Sequence, residues 1–489
     1  MHKIKNLIIP FILLLPYFIY GFISVYNGRP GGDEGIYMLS AVNVLSGKLP
    51  YRDFLSTQMP FLPYFYGMAM SIFGKGLINA RWISFSLGLM AVVFVMLTCQ
   101  RRGGFWAAAI AGSLLTLNKS FIFDMCSVRT QALTVFLTAV SIFFISDNEY
   151  KDKGVFLSIF MMNLAVLTRL SMLPVLSFLW LFTFFTHRPD VQKYLIAAGI
   201  NVLLLSGVFV FFNQGGNLLY DVYFFHDYSG MPWAFKPFAY FMIGFLRNQF
   251  CILLCSVGAV FLFMRKRKNV AYLYFLSASY IATTLVHVVR PLSYPAYQTS
   301  NIIFIVVFIG IVLGRWVSAF LNPYRKGLFV AVYLTVAFLS MSYQEYVIRW
   351  NGNGAPPRMY QAVKFIRSIA RPGDRIITCH HEIAVESNLT VLSGYEMAEF
   401  SYSPGMSDAQ AQKLNMVYPK RIRQDIEEQN ADIICLSPRD IILLGRGYLR
   451  ELEQGLMRNY NIVAMVPQYG QFFQDLYIMK PINNKGTGK

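Results

Sequence analysis

The chain has 489 residues, 55% of them hydrophobic and 14% charged, with 43 Lys and Arg against 25 Asp and Glu for a formal net charge of +18. A soluble domain carries about 25% charged residues, so the composition excludes an ordinary soluble enzyme. The charge is also unevenly placed: residues 343–489 hold 17 basic and 15 acidic side chains, whereas residues 1–342 hold 26 basic and only 10 acidic. The excess lies among long apolar runs. A nucleic-acid partner would need it gathered on one polar face; the positive-inside pattern of membrane proteins accounts for it better.

Eleven apolar runs are candidates to cross a bilayer, which takes about 20 residues each: 7–26, 79–99, 104–119, 130–146, 154–168, 171–186, 194–212, 238–263, 270–289, 298–316 and 327–343. The first reads as a retained span, since no small-residue cleavage site follows it. Residues 154–186 are almost continuously apolar and are read as a tight hairpin broken at Thr168-Arg169-Leu170 and Pro174. With the N-terminus cytoplasmic, the inner turns read Arg101-Arg102, Lys151 with Lys153, Arg188 with Lys193, Arg265 to Lys268, and Arg325-Lys326. Together with Lys3, Lys5 and Arg315 they hold fifteen of the 26 basic residues. The expected fold is a polytopic α-helical membrane protein with about eleven transmembrane helices over residues 1–343, a first outer loop at 27–78, and an extracytoplasmic α/β domain at 344–489. The expected location is the plasma (inner) membrane, with membrane lipids as neighbours.

Of the ten acids in the membrane part, Asp147, Glu149, Asp152 and Asp190 fall in the inner turns. The other six, Asp33, Glu34, Asp53, Asp124, Asp221 and Asp227, lie on the outer side, so carboxylate chemistry would face outward. The first outer loop opens with Gly31-Gly32-Asp33-Glu34-Gly35. Two adjacent carboxylates need a cation, a hydrogen-bond donor or a shared proton, although solvated loop acids account for them about as well. The glycines allow a tight turn, and apolar spacing from Glu34 to Leu45 predicts an amphipathic helix lying in the interface. The Gly-Gly pair is not a phosphate loop, because no Lys-Ser/Thr follows it. The loop continues with Tyr51-Arg52-Asp53-Phe54 and a proline-rich stretch from Pro60 to Tyr64.

An acidic pair, a surface helix, a Tyr-x-Asp-Phe and a proline-rich stretch, in that order, resemble the first loop of the C-fold (GT-C) glycosyltransferases. These are polytopic enzymes that use polyprenyl-phosphate sugars, among them protein O-mannosyltransferases and lipid A aminoarabinose transferases. Leu167-Thr168-Arg169 and the stretch Arg290-Pro291 to Gln298 are similar to two further turns of that family. One departure is Arg129-Thr130-Gln131, where bacterial relatives often place an acid after the arginine; Asp124 is the acid nearest to it. The resemblance implies an inverting transfer of a sugar from a polyprenyl-phosphate donor to a hydroxyl of a glycolipid, glycan or protein. No cofactor is required, and a divalent metal can be accommodated.

Such a reaction needs a base for the acceptor proton and cations for the phosphate leaving group. Asp33 is the expected base, with Glu34 orienting it or bonding the sugar, the roles being exchangeable. Tyr51, Arg52, Asp53 and Asp124 are candidate substrate contacts. For the leaving phosphate the sequence offers Arg52, Arg129, Arg169, Arg247 and Arg290 on the outer side, and snorkelling to lipid headgroups competes with function at each. Arg169 and Arg290 stand out, because each sits in a short turn between apolar spans; Tyr294, Tyr297 and Gln298 add donors, and His287 lies one turn before Arg290. The loop 213–237, with Asp221, His226, Asp227 and Trp233, suits either an aromatic belt or a gate.

From Pro356 the pattern alternates between helix and strand: helix 358–370, strands at 375–379, 389–392 and 432–436, helices at 419–430 and 447–459, and a closing hairpin of 462–466 with 472–479. That predicts a small α/β layer domain for acceptor selection or for covering the groove. His380-His381-Glu382 invites a metal reading, but adjacent residues of an extended chain face opposite ways. Cys379 and Cys435 fall in predicted strands, with a disulfide allowed but not required. A glycolipid transporter or flippase, or a polymerase or ligase of lipid-linked glycans, remains the alternative.

Overall fold

The computed structural model describes residues 2–146, 151–187, 191–223, 235–265, 271–288, 295–343, 356–470 and 472–482. Every apolar run predicted above is helical there: His2–Asn27, Leu77–Gly103, Phe105–Thr116, Thr130–Ile145, Lys151–Thr168, Leu173–His187, Val191–Phe212, Phe235–Arg265, Ala271–Val288, Ile302–Phe320 and Pro323–Tyr343. Among the described residues, four stretches are long and apolar enough to cross a membrane: Leu77–Gly103, Tyr194–Phe212, Ala271–Val288 and Ile302–Ala319. The pair Phe105–Thr116 and Lys119–Cys126, bent by 71°, makes a fifth if it counts as one broken span. Four or five crossings thus follow from length and hydropathy, and the count of eleven remains an expectation. The hairpin expected at 154–186 takes the form of a helix ending at Thr168, a 3-10 turn at Leu170–Met172 and a new helix from Leu173.

Contacts divide the chain into two compact units. The first comprises Met1–Ser24, Ser84–Gly207 and Met231–Val347. Its helices come together over small residues. A Cβ on Gly314 would stand 2.4 Å from the backbone of Ala107, and one on Gly310 would stand 2.9 Å from the Ala107 carbonyl oxygen. This Gly-x-x-x-Gly face lets Ile302–Phe320 press against Phe105–Thr116, the close approach on which helix association in lipid depends. Gly88 does the same for the first helix, where a Cβ would meet the Tyr17 hydroxyl at 2.1 Å; Tyr17 in turn donates to the Phe85 carbonyl at 3.1 Å.

The second unit comprises Val25–Ile83, Val208–Gly230 and Ile348–Lys489, so it unites the first outer loop with the C-terminal α/β part. Its sheet contains β1 (Arg375–Thr378), β2 (Thr390–Val391), β3 (Ile433–Leu436), β4 (Tyr460–Tyr469) and β5 (Gln474–Pro481) in the order β2-β1-β3-β5-β4. β1 pairs in parallel with β2 and β3, with Ile376 opposite Ile433; β5 runs antiparallel to both β3 and β4. All four residues of β3 are buried, as expected of a strand covered on both faces. Cys379 and Cys435 are free buried thiols.

The first-loop helix is Gly32–Leu45, with Glu34, Ile36, Met38, Leu39 and Ser40 buried. It packs against two helices, Phe61–Phe73 and His381–Ser387. The first of these begins after Pro60 and was hidden by its prolines, which the opening turn of a helix tolerates. The expected turn glycines are not strained: Gly31 has an ordinary extended backbone with φ −84°. Glycine is demanded instead at Gly35, where a Cβ would lie 2.4 Å from Glu382 Oε2 and 2.8 Å from the Glu382 amide.

Candidate functional site

The two adjacent acids of the first loop have opposite surroundings. Asp33 is exposed, whereas Glu34 is fully buried. Arg81 grips Glu34 through both carboxylate oxygens, Nη2 to Oε2 at 2.6 Å and Nε to Oε1 at 2.9 Å. Arg81 also donates to the carbonyls of Val25, Gly28 and Arg29 at 3.1, 2.8 and 3.1 Å, and Glu34 accepts the Gly31 amide at 3.0 Å. A planar guanidinium suits such convergent acceptors. The result fixes the chain from Val25 to Glu34 and leaves Asp33 outside the network, at the first turn of the helix. Sequence reasoning missed Arg81, although a cation near the start of an apolar span was a usable signal.

Tyr51, Arg52 and Asp53 brace the loop. Tyr51 is buried, holds a left-handed backbone with φ 65°, and donates its hydroxyl to the Gln58 carbonyl. Asp53 accepts the Leu49 amide at 2.8 Å and pairs with Arg52 through both oxygens at 2.8 Å, a bond that holds its carboxyl below the usual range. Asn217 donates to the Tyr51 carbonyl at 3.2 Å and to the Lys413 carbonyl at 2.9 Å. Asn415 donates to the Arg52 carbonyl at 2.9 Å. Asp221 is buried beside this junction and accepts the Ser56 amide at 3.4 Å; burial pushes its carboxyl up to about 8.

A cavity opens next to the acidic pair, with Pro30 and Gly32 on one side and His380, Glu382, Glu399, Asp440, Tyr469 and Gln474 on the other. His380 precedes the helix His381–Ser387 at its N-cap position, with Nε2 3.1 Å from Asp440 Oδ2 and Nδ1 3.8 Å from Glu382 Oε1. Burial alone would depress His380, but Asp440, Glu382 and Glu399 outweigh it and raise the imidazole to about 9. Asp440 also accepts the amide and hydroxyl of Ser437, both at 2.7 Å; against the opposing effect of burial, His380 and Ser437 keep it low. Glu382 accepts the Tyr469 hydroxyl at 2.8 Å. The adjacent histidines diverge at a helix start and not along the extended chain expected: His381 turns inward, with Nε2 2.8 Å from the Tyr395 carbonyl oxygen. Among the described residues, no group of three His, Cys, Asp or Glu is placed to hold a metal ion.

In the first unit the structure gathers residues that are far apart in the chain. Asp124, on the short helix Lys119–Cys126, accepts the Thr299 hydroxyl at 2.6 Å and lies 3.4 Å from Arg129 Nη1. Arg169 donates to Ser300 at 2.7 Å and to Thr130 at 3.5 Å, and its guanidinium stands 4.9 Å from the centre of the Tyr297 ring. The His287 ring lies 5.7 Å from Tyr297 on another side. Gln298 is buried and holds Thr284 and Asn301 at 3.3 and 2.7 Å. Arg129 and Arg169 bring two positive charges to a neighbourhood where Asp124 supplies one negative charge. Arg290 and Tyr294 lie outside the described residues.

The fold is similar to that of C-fold membrane proteins of known structure. Two solved structures of ArnT from Cupriavidus metallidurans cover 96% of this chain and 97% of their own, at 14% identity. Their TM-scores are 0.62 without ligand and 0.65 bound to undecaprenyl phosphate. The oligosaccharyltransferase of Archaeoglobus fulgidus tethered to an acceptor peptide matches with a TM-score of 0.50 and 12% identity, over 96% of this chain and 74% of that one. Both are C-fold glycosyltransferases, the family whose first-loop pattern this chain resembles. No protein-family model and no curated protein matches the chain by sequence.

Proposed function

We propose that the protein is a polyprenyl-phosphate-dependent glycosyltransferase of the plasma membrane, with its N-terminus cytoplasmic and its first outer loop and C-terminal α/β domain (344–489) on the outer face. The observation that carries this reading is the likeness to ArnT over nearly the whole of both chains, including ArnT bound to undecaprenyl phosphate. The clustering of Arg129, Arg169 and Tyr297 supports it, since a lipid-linked donor requires cations for its phosphate.

In this reading Asp33 removes the proton from an acceptor hydroxyl as that oxygen attacks the anomeric carbon from the face opposite the phosphate. The bond between carbon and phosphate oxygen breaks, its electron pair leaves with the polyprenyl phosphate, and the anomeric configuration inverts. Arg129 and Arg169 stabilise the phosphate as its charge grows. Glu34, held by Arg81, keeps the Asp33 turn in place, and Tyr51, Arg52 and Asp53 brace the loop below it. The scheme takes its cations from arginine side chains.

Purified protein in lipid nanodiscs tests the donor half of the proposal, with radiolabelled undecaprenyl phosphate as the probe. The reading requires saturable binding that weakens in Arg169→Gln. Absence of saturable binding in the wild-type protein would overturn it.

A further inference from the structure

Glu399 lies in the 3-10 turn Ala398–Ser401, directly after Ala398, whose φ of 54° puts a residue with a Cβ in the left-handed region. Its Oε2 stands 3.9 Å from the position of a Cβ on Gly32, the residue before Asp33. Burial raises the Glu399 carboxyl above its ordinary range, with Asp440 and Asp33 acting the same way and His380 and Arg439 opposing them. The other acids lining this cavity are bonded within the protein: Asp440 by Ser437 and His380, Glu382 by Tyr469. Neither the Asp33 nor the Glu399 side chain accepts a hydrogen bond from another described residue.

Two neighbouring carboxylates without donors need donors from elsewhere. The Ser437 hydroxyl is spent on Asp440 and the Gln474 Oε1 accepts the Arg439 amide at 2.8 Å, which leaves the cavity the Gln474 amide nitrogen and the rings of Tyr469 and Phe472, a donor and ring faces that fit a sugar. Its one imidazolium is already engaged by Asp440 and Glu382. Arg439 lies over Phe472, 3.5 Å from the ring centre. Asp33, Glu382, Glu399 and Asp440 stand against His380, Arg439 and Arg29, which lies 5.2 Å over the adjoining Phe473 ring; four acids against three cations disfavour an anionic acceptor.

We infer that Glu399 is a second carboxylate of the acceptor site, accepting a hydrogen bond from a neutral, hydroxyl-bearing saccharide beside Asp33 and turning away acceptors that carry phosphate there. The inference rests on the glycosyl-transfer reading and narrows its acceptor. It also supplies a carboxylate from the C-terminal part of the chain, beside those that the sequence pointed to at Glu34, Asp53 and Asp124.

The test uses the full chain in nanodiscs and saturation-transfer NMR, with the methyl glycosides of glucose, mannose, galactose and arabinose as neutral probes and methyl phosphate as the anionic one. At least one glycoside should bind, and Glu399→Gln, which keeps an acceptor oxygen but loses the charge, should weaken it about tenfold, the low end for a hydrogen bond to a charged group, while undecaprenyl phosphate binding stays unchanged. Glu399→Asp keeps the charge but shortens the reach, so it should fall between the two; this holds the inference testable if the glutamine variant does not fold. Equal glycoside affinity in wild type and both variants, no glycoside binding at all, or methyl phosphate displacing a bound glycoside would overturn it. Failure of undecaprenyl phosphate to bind would instead strike the transfer reading and leave Glu399-dependent glycoside binding standing.

Discussion

Arg81 and Glu34 form a two-pronged ion pair in which both side chains are shut off from solvent, at 1% and 0% exposure. Removing one partner of such a pair leaves an uncompensated buried charge, at a cost of about 3–5 kcal/mol. Arg81→Leu and Glu34→Leu should each lower the thermal unfolding temperature markedly in detergent. Arg81→Lys should not restore it, because one ammonium cannot replace a fork that serves a carboxylate and three carbonyls. Asp33→Asn, one residue away on an exposed side chain, should leave unfolding unchanged. Equal thermal stability for the variants at Arg81, Glu34 and Asp33 would contradict this division of roles.

His380 predicts a pH dependence of stability. Its folded pKa of about 9 lies above the unfolded value of about 6.5. Its contribution is therefore complete below about pH 6.5 and lost as pH rises through about 9. His380→Gln should flatten this part of the stability profile, removing on the order of 3 kcal/mol of pH-dependent stability. Unfolding temperatures measured from pH 6 to pH 10 read this out; a variant with the wild-type slope would count against the charged network.

Arg169 is expected to act on the donor. Arg169→Gln should weaken undecaprenyl phosphate by about ten- to a hundredfold, the range for losing a hydrogen bond to a charged group, with little change in unfolding temperature. Competition binding against the radiolabelled lipid measures it. An affinity equal to wild type would remove Arg169 from the phosphate site.

Two helix breaks in the first unit are tied together. Asn118, at the bend before Lys119–Cys126, donates to Gln249 at 2.8 Å and caps the following helix by accepting the Phe121 amide at 2.9 Å. Gln249 is itself a non-helical point, with φ −117° and ψ 15°, inside Phe235–Arg265. Leaving either buried amide unsatisfied costs about 1–3 kcal/mol. Asn118→Leu and Gln249→Leu should therefore be less destabilising together than the sum of the two singly. Strict additivity in a double-mutant cycle of unfolding free energies would show that the bond is not a coupling.

Much of the architecture was legible in the sequence, because hydropathy and the 3.6-residue period report directly on helices that must satisfy their own backbone in an apolar setting. All eleven apolar runs are helical, and the strands at 375, 390, 433, 460 and 474 arise where alternating or β-branched runs end in turns. The acids of the first loop were legible as chemistry but not as partners. Nothing local distinguishes Asp33 from Glu34; the difference comes from Arg81, 47 residues further on. The helix Phe61–Phe73 was concealed by prolines at its start, and His381–Ser387 by the expectation that the strand would run on. Glu399 and His380 join the first loop through long-range packing of the α/β part, which no window of sequence contains. In the other unit, Asp124 and Thr299 meet across 175 residues.

In the proposed reaction Asp33 takes the acceptor proton as a sugar leaves its polyprenyl-phosphate donor. Mass spectrometry of envelope glycolipids, glycans and proteins, from cells carrying the wild-type chain, Asp33→Asn or no copy, tests it most directly. A sugar-modified species should be present with the wild type and absent both without the gene and with Asp33→Asn, although that variant is folded, reaches the membrane and binds undecaprenyl phosphate normally. The same species at undiminished abundance with Asp33→Asn would contradict the account.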